Sequence, residues 1–153
     1  MKYTDTMVTF SEVPDEVTLC INISNCPNHC KGCHSTELWL NIGTDLTVSE
    51  LDRLIESNDG ITCISLMGGD QCDTAVILLC AHIKEKYPSI KTCWYTGRNR
   101  SEEDLKGGIK YLDYVKIGPY VEELGPLTSP TTNQRFYRVE NEKLIDITEI
   151  FWK

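Results

Sequence analysis

The sequence predicts an α/β protein with a mainly parallel sheet, and three observations support this fold class. The chain has 153 residues, a length typical of one domain with its own core, so we expect a single domain over residues 1–153. Apolar segments of strand type alternate with segments of helical periodicity, as in β/α units joined by right-handed crossovers. There is room for about four or five such units, too few for a closed eight-unit barrel. An open, partial barrel or a doubly wound sheet is therefore expected.

The first half of the chain is predicted to contain two strands separated by a helix. Residues Glu16–Ile23 alternate and are rich in β-branched side chains, which predicts a strand. Thr47 and Glu50 have the spacing of a capping box, and apolar residues then recur at helical intervals, which predicts a helix over Val48–Glu56. The segment Ile61–Met67 is almost wholly apolar and ends at two glycines, as in a central strand covered on both faces.

The second half continues the alternation and ends in a predicted hairpin. Apolar residues from Val76 to Tyr87 mark one side of a helix, which Pro88 ends. A turn at Asn141 is expected to separate the last two strands. The remaining elements are a short helix at Ser101–Leu105 and strands at Ile90–Thr96, Tyr114–Ile117, Phe136–Val139 and Leu144–Ile147.

The charge balance argues against a nucleic-acid partner. The net charge is -8 and the sequence pI is about 4.8. A phosphate backbone is bound by a basic face, and here the basic residues form no cluster beyond the pair Arg98 and Arg100. We therefore expect neither DNA nor RNA as a partner.

The apolar segments predict a cytoplasmic protein without a membrane partner. Residues Met1–Phe10 mix charged and polar side chains with apolar ones and lack the long apolar segment of a signal peptide. No stretch approaches the length of a membrane span. Cytoplasmic thiols stay reduced, so an even number of cysteines, eight, is weak evidence for disulfides.

Three cysteines lie in one short loop directly after the first predicted strand. Cys26, Cys30 and Cys33 have a Cys-x3-Cys-x2-Cys spacing, and thiolates so spaced can converge on one soft-metal site. Three protein ligands leave a fourth position open to a small molecule, which indicates chemistry rather than a structural crosslink. The other five cysteines do not cluster and are expected to be structural: Cys20, Cys63, Cys72, Cys80 and Cys93.

A second unusual loop, Gly68-Gly69-Asp70, follows the next predicted strand. Two glycines allow a ligand to approach the backbone closely, and the Asp70 carboxylate can accept hydrogen bonds from an amine. Ligands gather at the carboxyl ends of parallel strands, so we expect this loop to lie beside the cysteine loop.

A structural zinc site is an alternative interpretation of the cysteine loop. Cys26, Cys30 and Cys33 could bind zinc together with either His29 or His34, since three cysteines and one histidine are a common ligand set. Zinc modules usually pair two separated ligand knuckles, however, and the sequence has no evident second knuckle. The ligand set still allows zinc, so a noncatalytic zinc-binding interaction module is kept as an alternative.

The motifs together resemble the radical S-adenosylmethionine superfamily. The segment Cys26–His34, followed by Trp39 and Met67–Asp70, is similar to the small activating proteins of anaerobic ribonucleoside-triphosphate reductase. The likeness covers most of the chain, because it extends through three further segments: Trp94–Gly97, Ile117–Tyr120 and Asn133–Arg135. One departure is Gly32, where many superfamily members have an aromatic residue before the third cysteine.

The resemblance implies a partial, open β/α barrel, two cofactors and a site. A 4Fe-4S cluster would be held by Cys26, Cys30 and Cys33, and its open iron would chelate S-adenosylmethionine. The methionine amino group would be held by Asp70 with the backbone of Gly68 and Gly69. The residues implied along the adenosyl portion are Gly32, Cys33 and His34.

The resemblance also implies partners. The activity would be activation of anaerobic ribonucleoside-triphosphate reductase by a 5'-deoxyadenosyl radical that generates a glycyl radical on that enzyme. A low-potential electron donor such as flavodoxin or ferredoxin would be needed, and the loops Gly118–Tyr120 and Asn133–Arg135 are candidates for docking the reductase. Activation of another glycyl-radical enzyme, or radical chemistry on a small molecule, is the alternative.

Overall fold

The computed structural model describes residues 1–152 and contains one eight-stranded sheet and three α-helices. The helices are α1 (Val48–Glu56), α2 (Asp73–Lys86) and the short α3 (Glu102–Leu105). The strands are β1 (Lys2–Thr9), β2 (Thr18–Ile23), β3 (Thr44–Asp45), β4 (Cys63–Met67), β5 (Lys91–Tyr95), β6 (Tyr114–Ile117), β7 (Arg135–Glu140) and β8 (Lys143–Asp146).

The sheet is mixed, with a parallel centre. Its strand order is β3-β1-β2-β4-β5-β6-β7-β8, and only β2, β4, β5 and β6 pair in parallel. The strands on both sides of this centre are antiparallel. The expectation of a mainly parallel sheet thus describes the four central strands. It did not include β1 and β3, which extend the sheet beyond β2.

The two faces of the central strands bury different side chains. The outer face carries residues such as Leu19, Ile64 and Val115 and packs against α1 and α2 in the main apolar core. The inner face carries Cys63, Cys93, Tyr114 and Phe136, which pack around Val13 from the segment after β1. Because side chains alternate along a strand, Ser65 and Lys116 lie on the inner face without disturbing the outer core.

Helix α1 begins where the sequence predicts it, although the cap is only half formed. Thr47 Oγ1 accepts a hydrogen bond from the Glu50 amide at 3.1 Å. The Glu50 carboxylate turns away from Thr47 and binds Arg53 and Tyr3. The complete capping box is at the start of α3, where Ser101 and Asp104 bond each other's backbone amides.

A buried carboxylate ties the segment before β2 to the sheet. Glu16 is 7% exposed, and its carboxylate accepts hydrogen bonds from Lys91, from the Thr62 hydroxyl at 2.6 Å and from the Tyr114 hydroxyl at 3.2 Å. Burial alone would raise the pKa of Glu16, but hydrogen bonds from Lys91 and Thr62 outweigh it and lower that pKa below the ordinary 4.5.

Replacing Glu16 by glutamine is expected to destabilise the fold in a pH-dependent way. The amide cannot satisfy Lys91 as the carboxylate does, so we expect a loss of about 1 to 3 kcal/mol at pH 7. A depressed folded pKa contributes stability above the unfolded pKa and loses it as pH falls through the folded pKa. The difference in free energy of unfolding between wild type and Glu16→Gln, measured with urea, should therefore become smaller below about pH 4.5. Glu140→Gln removes an exposed ion pair with Arg138 and is the control, with little change in stability expected. A stability loss in Glu16→Gln that does not change with pH would show that the Glu16 carboxylate is not the group responsible.

Candidate functional site

Both ends of the cysteine loop are fixed by backbone hydrogen bonds. The Asn25 amide donates to the Leu40 carbonyl at 2.9 Å, and the Cys26 amide donates to the Leu38 carbonyl at 2.8 Å. These bonds close the segment that follows β2 into a loop on the carboxyl side of the central strands. The three cysteines are therefore presented at the edge where ligands of parallel sheets bind.

The three loop cysteines differ from the other five in their surroundings. Cys26, Cys30 and Cys33 are half-buried and unpaired. The Cys33 sulfur accepts a hydrogen bond from the Ser35 amide at 3.4 Å, which orients the side chain. Half-burial leaves the three sulfurs partly protected from water and still reachable by a metal.

The remaining cysteines are mostly inert core residues, as the sequence predicts. Burial raises the pKa of Cys20 and of Cys80 to about 12, and it also raises the pKa of Cys63 and Cys93. Such thiols stay protonated and behave as small apolar side chains. Cys72 is the exception, because it is exposed at the start of α2.

Side chains from a neighbouring loop pack onto the cysteine loop. The rings of His34 and Tyr120 lie 5.4 Å apart, and the Glu122 side chain lies over Gly32, where an added Cβ would be 2.9 Å from the Glu122 carboxyl carbon. Gly32 has a φ of +75°, in the left-handed region that favours glycine. The backbone itself therefore disfavours an aromatic residue at position 32.

The diglycine loop is a tight turn held by Trp94. The Trp94 indole donates to the Gly68 carbonyl at 2.8 Å, and the Gly68 amide donates to the Tyr95 carbonyl at 3.0 Å. Gly69 has a φ of +96°, and a Cβ there would lie 2.4 Å from Val76 Cγ2. The turn therefore requires glycine for both its backbone conformation and its packing against α2.

Replacing Gly69 by alanine is expected to cost more stability than the same change at Gly60. Gly60 also has a positive φ, of +83°, but an added Cβ there would meet nothing within 4 Å. Gly60→Ala should therefore report backbone strain alone, about 1 to 2 kcal/mol. Gly69→Ala adds overpacking against the fully buried Val76, typically a further 1 to 3 kcal/mol. Urea unfolding measures both, and equal losses would show that packing against Val76 does not restrict Gly69.

Asp70 is buried and accepts hydrogen bonds on both carboxylate oxygens. Oδ1 accepts from the Thr96 hydroxyl at 2.5 Å and from Arg100 Nη2 at 3.0 Å, while Oδ2 accepts from Asn28 Nδ2 at 2.6 Å and from the Gly97 amide at 2.8 Å. Burial alone would raise the pKa of Asp70, but these donors lower it below its ordinary value. Asp70 is therefore held as a carboxylate.

The contact between Asn28 and Asp70 joins the two loops that the sequence singled out. Asn28 lies between Cys26 and Cys30, and Asp70 ends the diglycine turn. The prediction that the two loops lie side by side at the carboxyl edge of the sheet is confirmed.

Arg100 holds Asp70 in place by donating a hydrogen bond to Oδ1, the carboxylate oxygen that does not bond Asn28. Its guanidinium, 7% exposed, bonds Asp73 through two nitrogens at 2.6 and 2.8 Å. The same group lies 4.5 Å from the centre of the Trp94 ring. Arg100 is therefore a buried structural partner of Asp70 rather than a solvated loop residue.

A cavity of about 520 Å³ opens beside the cysteine loop on the inner face of the sheet. Cys33 and His34 form part of its wall, and Pro126, Leu127 and Phe151 supply an apolar side. Its polar lining includes Tyr95, Lys116, Tyr120 and Gln134. A concave, mainly apolar site with few polar groups is typical of small-molecule binding.

Lys116 is a buried cation in the wall of this cavity. It is 8% exposed, and its ammonium donates to the Gly118 carbonyl at 2.8 Å and to the Thr96 carbonyl at 3.3 Å. Burial lowers the pKa of Lys116 to about 8, while Asp70, Cys30 and Cys26 act in the opposite direction. No carboxylate among residues 1–152 forms an ion pair with Lys116, so its charge is available for an anionic ligand.

The donor set of the loop suits a cluster better than a single ion. Among residues 1–152, no three His, Cys, Asp or Glu side chains are close enough together to hold one metal ion. A four-iron cluster bonds each thiolate to a different iron atom, so its ligands need not meet at one point. Three half-buried, unpaired thiols in one loop fit such a cluster.

Comparison with known families agrees with this donor set. A family described as 4Fe-4S single cluster domain matches residues 16–139, which contain both loops and the four parallel strands. The match spans well over half of the chain. The protein therefore belongs to the 4Fe-4S single cluster domain family, which makes it an iron-sulfur protein. Comparison with curated proteins and with solved structures gave no match.

Several residues of the site were not predicted from the sequence. Asn28 and Lys116 were not singled out, and Arg100 was noted only as one member of a basic pair. Gln134 was expected on a docking loop, but it is only 5% exposed and lines the cavity. A signal for Lys116 was present, because a lysine inside a short, otherwise apolar strand is seldom buried without a purpose.

Proposed function

We propose that this protein is a radical S-adenosylmethionine enzyme that activates an anaerobic ribonucleoside-triphosphate reductase. The observation that carries the proposal is the Asn28–Asp70 contact, which joins a three-cysteine loop to a diglycine-aspartate loop. Of these two loops, the cysteine loop lines the cavity, through Cys33 and His34. Membership in a 4Fe-4S family supports the cluster. The open mixed sheet would then be a partial barrel of the radical S-adenosylmethionine type.

The cluster would be held by Cys26, Cys30 and Cys33. When bound and reduced, a 4Fe-4S cluster supplies the electron that cleaves the sulfonium bond of S-adenosylmethionine to methionine and a 5'-deoxyadenosyl radical. The chain positions the cofactor and excludes water from the radical. The apolar wall of the cavity, formed by Pro126, Leu127 and Phe151, suits that second task.

The methionine end of the cofactor has two complementary groups in this chain. Asp70, with the backbone of Gly68 and Gly69, would accept hydrogen bonds from the amino group. Both Asp70 oxygens already have protein donors, so the amino group would displace the Asn28 amide, the donor from the cysteine loop. Lys116 would face the methionine carboxylate, since it is a buried cation with no ion pair among residues 1–152.

The adenosyl end would lie along Gly32, Cys33 and His34. Cys33 and His34 line the cavity, and the contact of Tyr120 with His34 fixes one side of it. Gly32 directly precedes Cys33 and is exposed, but it does not line the cavity.

The radical would remove a hydrogen atom from a glycine Cα of the reductase. That glycine must reach the cavity, so the reductase would dock on the surrounding loops. Gly118 is buried, whereas Pro119, Tyr120, Asn133 and Arg135 are half-buried there, and Asn133 Nδ2 donates to the Pro119 carbonyl at 3.0 Å. A flavodoxin or ferredoxin would supply the electron.

We also assign the protein to the cytoplasm, where its thiols would stay reduced. All eight cysteines are unpaired. No helix within residues 1–152 has the length and apolar character needed to cross a membrane.

The test is release of 5'-deoxyadenosine from S-adenosylmethionine by anaerobically reconstituted, reduced protein. Release that requires the cluster, and that produces a glycyl radical signal by electron paramagnetic resonance when the reductase is added, would support the proposal. Release without a signal on the reductase would direct the search to another glycyl-radical enzyme or a small-molecule substrate. A colourless protein that binds zinc and releases no 5'-deoxyadenosine would contradict the proposal and favour a noncatalytic interaction module.

A further inference from the structure

Gln134 is a buried amide on the inner face of the sheet. In the antiparallel pair of β6 and β7, Phe136 lies opposite Lys116, and both belong to the inner face. Gln134 precedes Phe136 by two residues, so its side chain lies on that same face. Gln134 is 5% exposed and lines the cavity beside the cysteine loop.

The Gln134 side chain makes no hydrogen bond to residues 1–152. Its backbone amide bonds the Thr132 hydroxyl and its carbonyl accepts from Arg135, but its carboxamide has no partner in the described chain. The carboxamide oxygen and nitrogen stay accessible from the cavity, where water can bond them. A ligand that occupies the cavity can replace that water at both the donor and the acceptor.

The chemistry of the cavity selects the kind of group that Gln134 can bind. A carboxamide offers one planar face with a donor and an acceptor side by side. The neighbouring wall of Pro126, Leu127 and Phe151 is apolar and suits a flat ring. Together they fit a heteroaromatic ring whose edge carries an amino group next to a ring nitrogen. Adenine has such an edge, and a glutamine pairs with it through two hydrogen bonds.

We propose that Gln134 recognises the adenine of the nucleoside cofactor and selects it against 6-oxopurines. This inference rests on the proposed function, because that function brings an adenosyl group into the cavity. Gln134 Oε1 accepts from the exocyclic amino group, and Nε2 donates to N7, which is an acceptor in both purines. Hypoxanthine has a carbonyl in place of the amino group, so this edge offers two acceptors and Oε1 has no donor in either orientation of the carboxamide.

The test compares two cleavage-resistant ligands by calorimetry on the iron-sulfur reconstituted protein: S-adenosylhomocysteine and S-inosylhomocysteine. Wild type is expected to bind the adenosyl ligand about tenfold to a hundredfold more tightly. Gln134→Met, which has a similar length but no amide, is expected to bind both ligands alike. Gln134→Asn keeps the amide but shortens its reach, so it should also lose the preference and remains informative if the methionine variant fails to fold.

The outcomes separate this inference from the proposed function. A wild-type preference for the adenosyl ligand that disappears in both variants supports the role of Gln134. The same preference retained in either folded variant overturns that role and leaves the proposed function standing. Wild-type protein that carries a full cluster and binds neither ligand overturns both.

Discussion

Replacing Cys26, Cys30 or Cys33 singly by alanine is expected to abolish cluster binding and cofactor cleavage. Each thiolate would bond a separate iron atom, and two protein ligands leave a second iron open to solvent. The reconstituted wild type should carry about four iron ions per chain with matching sulfide. Each variant should retain little of either, and its release of 5'-deoxyadenosine should fall to background.

The other cysteines provide matched controls for this experiment. Cys72→Ala removes an exposed thiol close to Asp70, and Cys20→Ala removes a buried thiol of the inner face. Both variants should keep the full iron content, although Cys20→Ala leaves a small cavity that lowers stability. Iron loss in Cys72→Ala equal to that in Cys30→Ala would show that the loop cysteines are not the ligand set.

The parallel centre of the fold and the pairing of the two loops were predictable from local patterns. The diglycine after Ile61–Met67 marks the end of a central strand, and a cysteine loop follows the preceding strand in the sheet. Parallel strands that are neighbours present their carboxyl ends together. Strand periodicity and crossover topology were therefore sufficient to bring Cys26–Cys33 next to Asp70.

The partners of Asp70 could not be predicted in the same way. Asn28 reaches Asp70 from the cysteine loop and Arg100 reaches it from the loop after β5, so both contacts depend on the packed tertiary structure. A loop arginine in a sequence is usually solvated, and only burial against Trp94 and pairing with Asp73 make Arg100 structural. Local propensity has no information on such contacts between distant loops.

The strand β1 was missed because its pattern is weak. Its residues Lys2–Thr9 mix exposed and half-buried side chains, with only Tyr3 buried. The strand is stabilised by pairing with β2 on one side and β3 on the other rather than by an apolar face of its own. Strand propensity depends strongly on such neighbours, which a single sequence does not display.

Replacing Lys116 by methionine is expected to weaken S-adenosylmethionine binding strongly while leaving the fold intact. Burial lowers the pKa of Lys116 from 10.5 to about 8, so keeping this side chain charged in the fold is unfavourable, and its two hydrogen bonds to backbone carbonyls act against that cost. The midpoint temperature of thermal unfolding at pH 7 should therefore differ between Lys116→Met and wild type by only about a few degrees. In the proposed function this charge faces the cofactor carboxylate, and its loss should then cost about 2 to 5 kcal/mol of binding, at least about thirtyfold in affinity by calorimetry.

The pH dependence of binding distinguishes a charged Lys116 from one that merely fills space. The ammonium is present below its pKa and lost above it, so the affinity of wild type for S-adenosylmethionine should fall as the pH rises through about 8. Lys116→Met has no charge to lose and should show no such fall, and Lys116→Arg stays charged throughout this range. A wild-type affinity that is constant from pH 7 to pH 9, together with unchanged affinity in Lys116→Met, would show that the cation does not face the ligand. Retained stability with lost, pH-dependent binding would instead show that burying this lysine serves the cofactor rather than the fold.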